Sequence, residues 1–170
     1  MKYLLILAVL LSCASVAAQA QGQNTQQVHI TQIAIGKKAD SIDKATQEII
    51  ERTVEENFSA WKLESVLETR ESSSSTFIWA LGEQKLVVSV SYLESQEEAA
   101  KQIRFNLATI QMPRYKPLEH VGAEAYLITA EGPIMFRKAN MVVTVCGCEA
   151  PLEIVEQFAK RVADSLSAAD

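Results

Sequence analysis

Two cysteines stand two positions apart near the end of the chain, in the run Cys146-Gly147-Cys148. In an extended strand such side chains point to one face with Cα atoms roughly 6.6 Å apart, near the upper limit for a disulfide. Gly147 is the residue that would let the chain bend to close the bond. Three interpretations fit the pair. It could form a redox-active disulfide, or supply two thiolate ligands for copper(I) or zinc. In the third interpretation the cysteines form a structural disulfide or remain inert thiols. The last interpretation is the ordinary one for an isolated Cys-x-Cys.

Residues for other kinds of catalysis are sparse. The histidines are His29 and His120, and no G-x-S-x-G, H-E-x-x-H, phosphate-binding loop or G-x-G-x-x-G motif occurs in the sequence. The acidic pairs fall on predicted helices with helical spacing to lysines, which is typical of solvated helix surfaces. We therefore predict a protein that is not an enzyme and holds no cofactor, unless the cysteine pair binds a metal.

The composition is that of one globular domain. The chain has 170 residues, of which 48% are hydrophobic and 22% charged. Lysine and arginine total 16 against 21 acidic residues, and the longest cationic runs are the pairs Lys37-Lys38 and Arg137-Lys138. Because binding to phosphates needs a basic stripe, we do not expect nucleic acid as a partner.

The first residues have the order of a secretory signal peptide. A positive charge at Lys2 precedes the apolar run Leu4–Leu11, and Ala18-Gln19-Ala20 is a small-x-small cleavage site. The sequence thus predicts a signal peptide over 1–20, a disordered polar leader over 21–27 and a single α+β domain over 28–170. A chain processed in this way is exported, either to the periplasm or out of the cell.

A second interpretation applies to the same segment. The run Leu10-Leu11-Ser12-Cys13 resembles the lipobox of bacterial lipoproteins, in which the cysteine becomes the lipidated first residue. Lipidation of Cys13 would turn residues 14–27 into a flexible tether, and the protein would then be anchored to a membrane. We expect contact with a membrane only in this case.

Hydrophobic periodicity predicts an α+β fold. The predicted antiparallel sheet has about six strands in two meanders, each followed by a helix, and a further helix precedes the sheet. In the first predicted strand Trp61, Leu63 and Leu67 share one face. The run Ser95-Gln96-Glu97-Glu98 has the form of a capping box and predicts the start of the middle helix. The predicted helices cover 42–58, 96–111 and 151–166; the predicted strands cover 61–70, 77–81, 85–93, 123–129, 134–138 and 141–146, with a turn over 72–75.

The two halves of the chain share an apolar pattern at an offset of 55 residues. The sequence LVVSVSYLESQEEAAKQI from Leu86 matches MVVTVCGCEAPLEIVEQF from Met141. A duplication and one architectural rule applied twice both account for the match. In either case we expect each meander to bury its apolar face under the helix that follows it.

Residues in the second half resemble a block found in uncharacterised bacterial secreted proteins and lipoproteins. The block has the form G-x-E-A-Y … F-R-x-x-N-x-V-V-x-V, seen here over 122–126 and 136–145. Cys146-Gly147-Cys148 is not part of this pattern. The resemblance implies a small envelope domain without catalysis. We expect an exported domain that binds a ligand or a protein partner, and the alternative is a thiol redox or soft-metal-binding protein that uses Cys146 and Cys148.

Overall fold

The structure is a computed structural model that describes residues 44–69, 73–109, 115–129 and 132–167. The predicted signal peptide, the leader and Cys13 lie outside these residues. The described chain forms an α+β fold, as expected, with three helices and a seven-stranded sheet. The elements are α1 (Lys44–Asn57), β1 (Lys62–Thr69), β2 (Ser74–Leu81), β3 (Gln84–Tyr92), α2 (Gln96–Thr109), β4 (Lys116–Pro117), β5 (Glu124–Leu127), β6 (Ile134–Lys138), β7 (Met141–Cys148) and α3 (Leu152–Ser167).

All neighbouring strands are antiparallel, in the order β1-β2-β3-β7-β6-β5-β4. The two meanders therefore meet at β3 and β7, which pair over eight positions from Tyr92 opposite Met141 to Lys85 opposite Cys148. Ser89 faces Thr144 at the centre of this ladder. Ser89 and Thr144 also occupy matching positions in the two halves of the chain, which are offset by 55 residues. The two paired strands are therefore related by an approximate two-fold symmetry about this residue pair.

Helices α1 and α3 cover one side of the sheet, which we call the inner face. Phe158 of α3 is fully buried there, with its ring 5.4 Å from Trp79 of β2 and 4.9 Å from Phe58, which follows α1. Alternate residues of the strands point to this face because side chains in a strand alternate in direction. The strand residues buried in this core include Phe77, Trp79, Leu86, Val88, Val90, Phe136, Val143 and Val145.

Helix α2 lies on the opposite side, which we call the outer face. Its residues Ala99, Ile103 and Leu107 pack with Met135 of β6 and Val142 of β7 in a second, smaller core. The Glu98 amide donates to the Ser95 hydroxyl at 3.1 Å, as the predicted capping box requires. None of the helices in the described ranges has the length and apolar character needed to cross a bilayer.

The position of α2 corrects the expectation that each helix covers its own meander. The inner face of β1–β3 packs against α1 and α3, whereas α2 contacts β6 and β7. The physical reason is that β6 and β7 carry buried apolar side chains on both faces, as Met135 and Phe136 show. The second meander therefore needs cover on two sides, and α2 provides the second cover.

Four details of the strands also differ from the sequence prediction. Ser75, assigned to a turn, is 2% exposed within β2 because pairing with β3 continues through it to Ser74. The two-residue strand β4 was expected to be loop, and β7 extends to Cys148. Leu63 and Leu67 do not share a face, because the register shifts between Leu63 and Ser65. Such a bulge adds one residue and reverses the alternation beyond it.

Phe158 should be the residue of α3 on which the inner core depends most. We expect Phe158→Ala to lower the free energy of unfolding by about 3–5 kcal/mol, because it removes two ring contacts and leaves a cavity. The control Phe105→Ala changes a ring that is 38% exposed on α2, and should cost less than about 1 kcal/mol. Urea denaturation measures both changes. Equal losses would show that the inner core is not packed around Phe158.

Candidate functional sites

The cysteine pair occupies the last positions of β7, on the outer face. Cys146 lies opposite Val87 and Cys148 opposite Lys85 in the unbroken ladder with β3. Both residues are thiols in the structure, with Cys146 buried and Cys148 partly exposed. The structure therefore brings the two predicted site residues onto one side of one regular strand.

Gly147 points to the inner face, and its lack of a side chain lets α3 pack closely. A Cβ atom at this position would lie 2.6 Å from Val155 Cγ2 and 3.2 Å from Ala150 Cβ. The ladder pairing is regular here, so the strand does not bend between the cysteines. The sequence suggested that Gly147 permits a bend, whereas its contacts assign it to packing against the start of α3.

Charged groups lie beside Cys148. The Lys85 ammonium is 2.9 Å from Glu64 Oε2, and Lys85 is the direct cross-strand neighbour of Cys148. A shallow hollow of about 490 Å³ at this end of the sheet is lined by Leu81, Glu83, Gln84 and Glu149. The cysteine pair is thus next to one ammonium group and close to two further carboxylates.

The histidines do not join the pair. His29 lies outside the described residues, and the His120 side chain is 81% exposed in a loop, with Nε2 3.8 Å from Glu119 Oε2. Within the described part of the chain, no three His, Cys, Asp or Glu side chains are grouped to hold a metal ion. A tetrahedral zinc site would need four ligands, so these residues do not form one.

The second candidate site is the β1 edge, which sequence reasoning did not identify. In the described sheet β1 pairs with β2 only, and it exposes Leu63 by 42% and Leu67 by 56%. The opposite edge is β4, which has two residues and ends at Pro117. The sequence pattern indicated that Leu63 and Leu67 belong to the core. The bulge, which has no signature in the sequence, explains why Leu67 faces away from the inner core, whereas Leu63 lies before the bulge, opposite Trp79.

A cleft of about 240 Å³ opens beside the start of β1. Its floor includes the buried indoles of Trp61 and Trp79, and Glu51 and Glu55 lie one turn apart on α1 at its side. The Lys62 ammonium donates to the Ser59 carbonyl oxygen at 3.1 Å. The remaining lining residues are Ser59, Lys62 and Leu63.

The residues that carry the resemblance make contacts within the second meander and with the end of the first. A Cβ on Gly122 would lie 2.6 Å from the Arg137 carbonyl oxygen, and Gly122 has a φ of +60°. The Tyr126 hydroxyl donates to Glu124 Oε1 at 2.9 Å, and burial, followed by this hydrogen bond, raises the pKa of Tyr126. Asn140 Nδ2 donates to the Leu93 carbonyl oxygen at 2.8 Å. Each of these contacts lies within the domain. We therefore assign the residues of the block to the stability of the fold rather than to binding.

Packing at Gly147 can be tested by a double-mutant cycle. We expect Gly147→Ala to lower the free energy of unfolding by about 1–3 kcal/mol, because the new methyl group collides with Val155. In a Val155→Ala background the same change should cost at least about 0.5 kcal/mol less, since the closest atom is gone. Thermal and urea unfolding of the four proteins give the coupling. Additive effects would show that Val155 does not limit the space at Gly147.

Comparisons with protein-family models, curated proteins and solved structures found no match to this chain. The resemblance to secreted and lipoprotein envelope domains therefore stays a prediction from the residues that carry it.

Proposed function

We propose that this chain is an exported, non-catalytic domain of the bacterial envelope that binds a protein partner. In this proposal an extended segment of the partner adds to the β1 edge of the sheet. The observation that carries it is the contrast between the two edges: eight residues with two exposed leucines at β1, and two residues ending in proline at β4. The signal-like order of the first twenty residues supports export.

In this proposal the main part of the binding surface is the outer side of β1, which pairs with no other strand on that side among the described residues. An edge strand presents backbone amide and carbonyl groups that a further strand can pair with, and several recognition domains bind extended peptides in this way. Proteins usually protect an edge by shortening it or placing proline in it, as at Pro117. On β1 the exposed charges of Lys62 and Glu68 oppose unspecific pairing. A partner strand with matching residues is then favoured over random association.

The cleft next to Leu63 supports a partner segment that carries a basic residue. Its volume of about 240 Å³ is below the roughly 300–1,000 Å³ typical of small-molecule sites, and suits one side chain. Lysine or arginine fits best, because its carbon stem can lie on Trp61 and Trp79 while its cation meets Glu51 and Glu55. Lys62 directs its ammonium at the Ser59 carbonyl oxygen and not at these carboxylates, while Glu51 Oε1 accepts a hydrogen bond from Gln47 Nε2 at 2.8 Å. The expected partner segment is therefore extended and carries a basic residue.

Selection from a library of random dodecapeptides on the full chain tests this proposal. We expect the selected peptides to combine alternating β-branched residues with one lysine or arginine. Hydrogen exchange on the complex should then show new protection of backbone amides in β1. Peptides without a common pattern, or protection confined to other strands, would contradict the proposal.

A matched pair of substitutions tests the role of the cleft. Glu55→Gln removes a carboxylate from the cleft, and should weaken binding of a selected basic peptide about two- to five-fold, as expected for one exposed ion pair. Glu56→Gln removes the neighbouring carboxylate, which does not line the cleft, and should leave the affinity unchanged. Isothermal titration calorimetry measures both. The same loss for the two variants would show a general charge effect rather than a specific pocket.

The intact mass of the protein purified from its own host tests export. We expect a chain that begins at Gln21, because the small-x-small site ends at Ala20. A chain that begins at a diacylglyceryl-modified Cys13 would replace free export by a membrane anchor. Retention of residues 1–20 would contradict both forms of the export proposal.

A further inference from the structure

We infer that Cys146 and Cys148 form a two-coordinate site for a soft monovalent metal ion, of which copper(I) is the biological representative. The inference is independent of peptide binding at the β1 edge. It depends on the arrangement of the two thiols on β7, which suits a bridging metal ion and not a direct sulfur–sulfur bond.

The distance between the two side chains is the first argument. β7 is regular through both cysteines, so their Cα atoms and their nearly parallel Cβ atoms are separated by roughly 6.6 Å. A disulfide requires Cβ atoms about 3.5–4.5 Å apart. Two metal–sulfur bonds of about 2.3 Å, the length of a zinc–thiolate bond, span up to about 4.6 Å between sulfur atoms, which is closer to the spacing of these side chains than a direct sulfur–sulfur bond of about 2.0 Å. The close packing of Gly147 against Val155 opposes the backbone movement that a disulfide would need.

The number and type of ligands are the second argument. Among the described residues no third His, Cys, Asp or Glu side chain is grouped with the two thiols so as to hold a metal ion. Thiolates select soft metals such as copper(I), and a monovalent ion with a filled d shell is stable with two sulfur ligands in a line. Zinc prefers four ligands and is therefore disfavoured.

Charge is the third argument. Binding breaks two S–H bonds, forms two metal–sulfur bonds and releases two protons, and the oxidation state of the metal and of sulfur does not change. The product carries one negative charge, from two thiolates and one monovalent cation. The Lys85 ammonium, on the cross-strand neighbour of Cys148, can balance this charge. Glu83 and Glu149 line the hollow at the same end of the sheet and attract a cation to the partly exposed Cys148.

Competition with the colorimetric chelator bicinchoninate tests the inference. The full chain carrying Cys13→Ser, reduced and kept under nitrogen, should take one copper(I) per chain from the chelator. Affinity should rise with pH below the pKa of the thiols, because two protons are released. X-ray absorption should show two sulfur neighbours. Failure to take copper(I), or three or more sulfur neighbours, would overturn the inference.

Substitutions locate the metal. Cys148→Ser removes a direct ligand of the metal. It should therefore lower the affinity for copper(I) by more than the roughly 10–100-fold that is lost when a residue hydrogen-bonded to a ligand is removed. This variant changes a partly exposed side chain, so circular dichroism should show an unchanged fold. Lys85→Gln should weaken binding, whereas Lys62→Gln on the edge strand β1 should not. Undiminished binding by Cys148→Ser, or a stable disulfide between the cysteines in the purified protein, would assign the pair to another role.

Discussion

The pairing of β3 with β7 is the interaction on which the rest of the structure depends. Each meander forms its own short-range contacts, but the ladder between these two strands joins them into one sheet and sets the register of both halves. It aligns the inner-face residues Val88 and Val145, so that α1 and α3 meet one continuous apolar surface. The same register places Cys148 opposite Lys85. A slip by one residue would exchange every inner and outer side chain of one meander.

The positions of the helices follow from which strand faces are apolar. β2 and β3 bury alternate residues, so the first meander needs cover on one side, whereas β6 and β7 bury residues on both sides. Helix α2 consequently leaves the meander that precedes it and packs on the other half of the sheet. The outer face over β1–β3 has no covering helix in the described ranges, and residues such as Thr76 and Ser89 satisfy each other there at 2.9 Å.

The sequence predicted what depends on local pattern. The strict alternation of Leu86, Val88 and Val90 identifies β3 and its inner face, and Ser95 with Glu98 locates the start of α2. The strand order, the side on which α2 packs and the bulge after Leu63 depend on contacts between distant residues, so they have no local signature. The spacing of Cys146 and Cys148 is a local pattern, so the sequence predicted this pair as a candidate site. The β1 edge depends on the strand order, so the sequence did not predict it.

The central place of β7 also has a consequence for how the chain folds. β7 and α3 are the last two elements of the described chain, yet β7 lies in the middle of the sheet and Phe158 of α3 lies against Trp79. Closing the ladder with β3 requires a long loop, which raises the contact order and slows folding. A nascent chain that ends before β7 leaves the indole of Trp79 without its cover. The stable fold can therefore form only after β7 and α3 have been synthesised, and a chain that lacks them exposes apolar surface that favours aggregation.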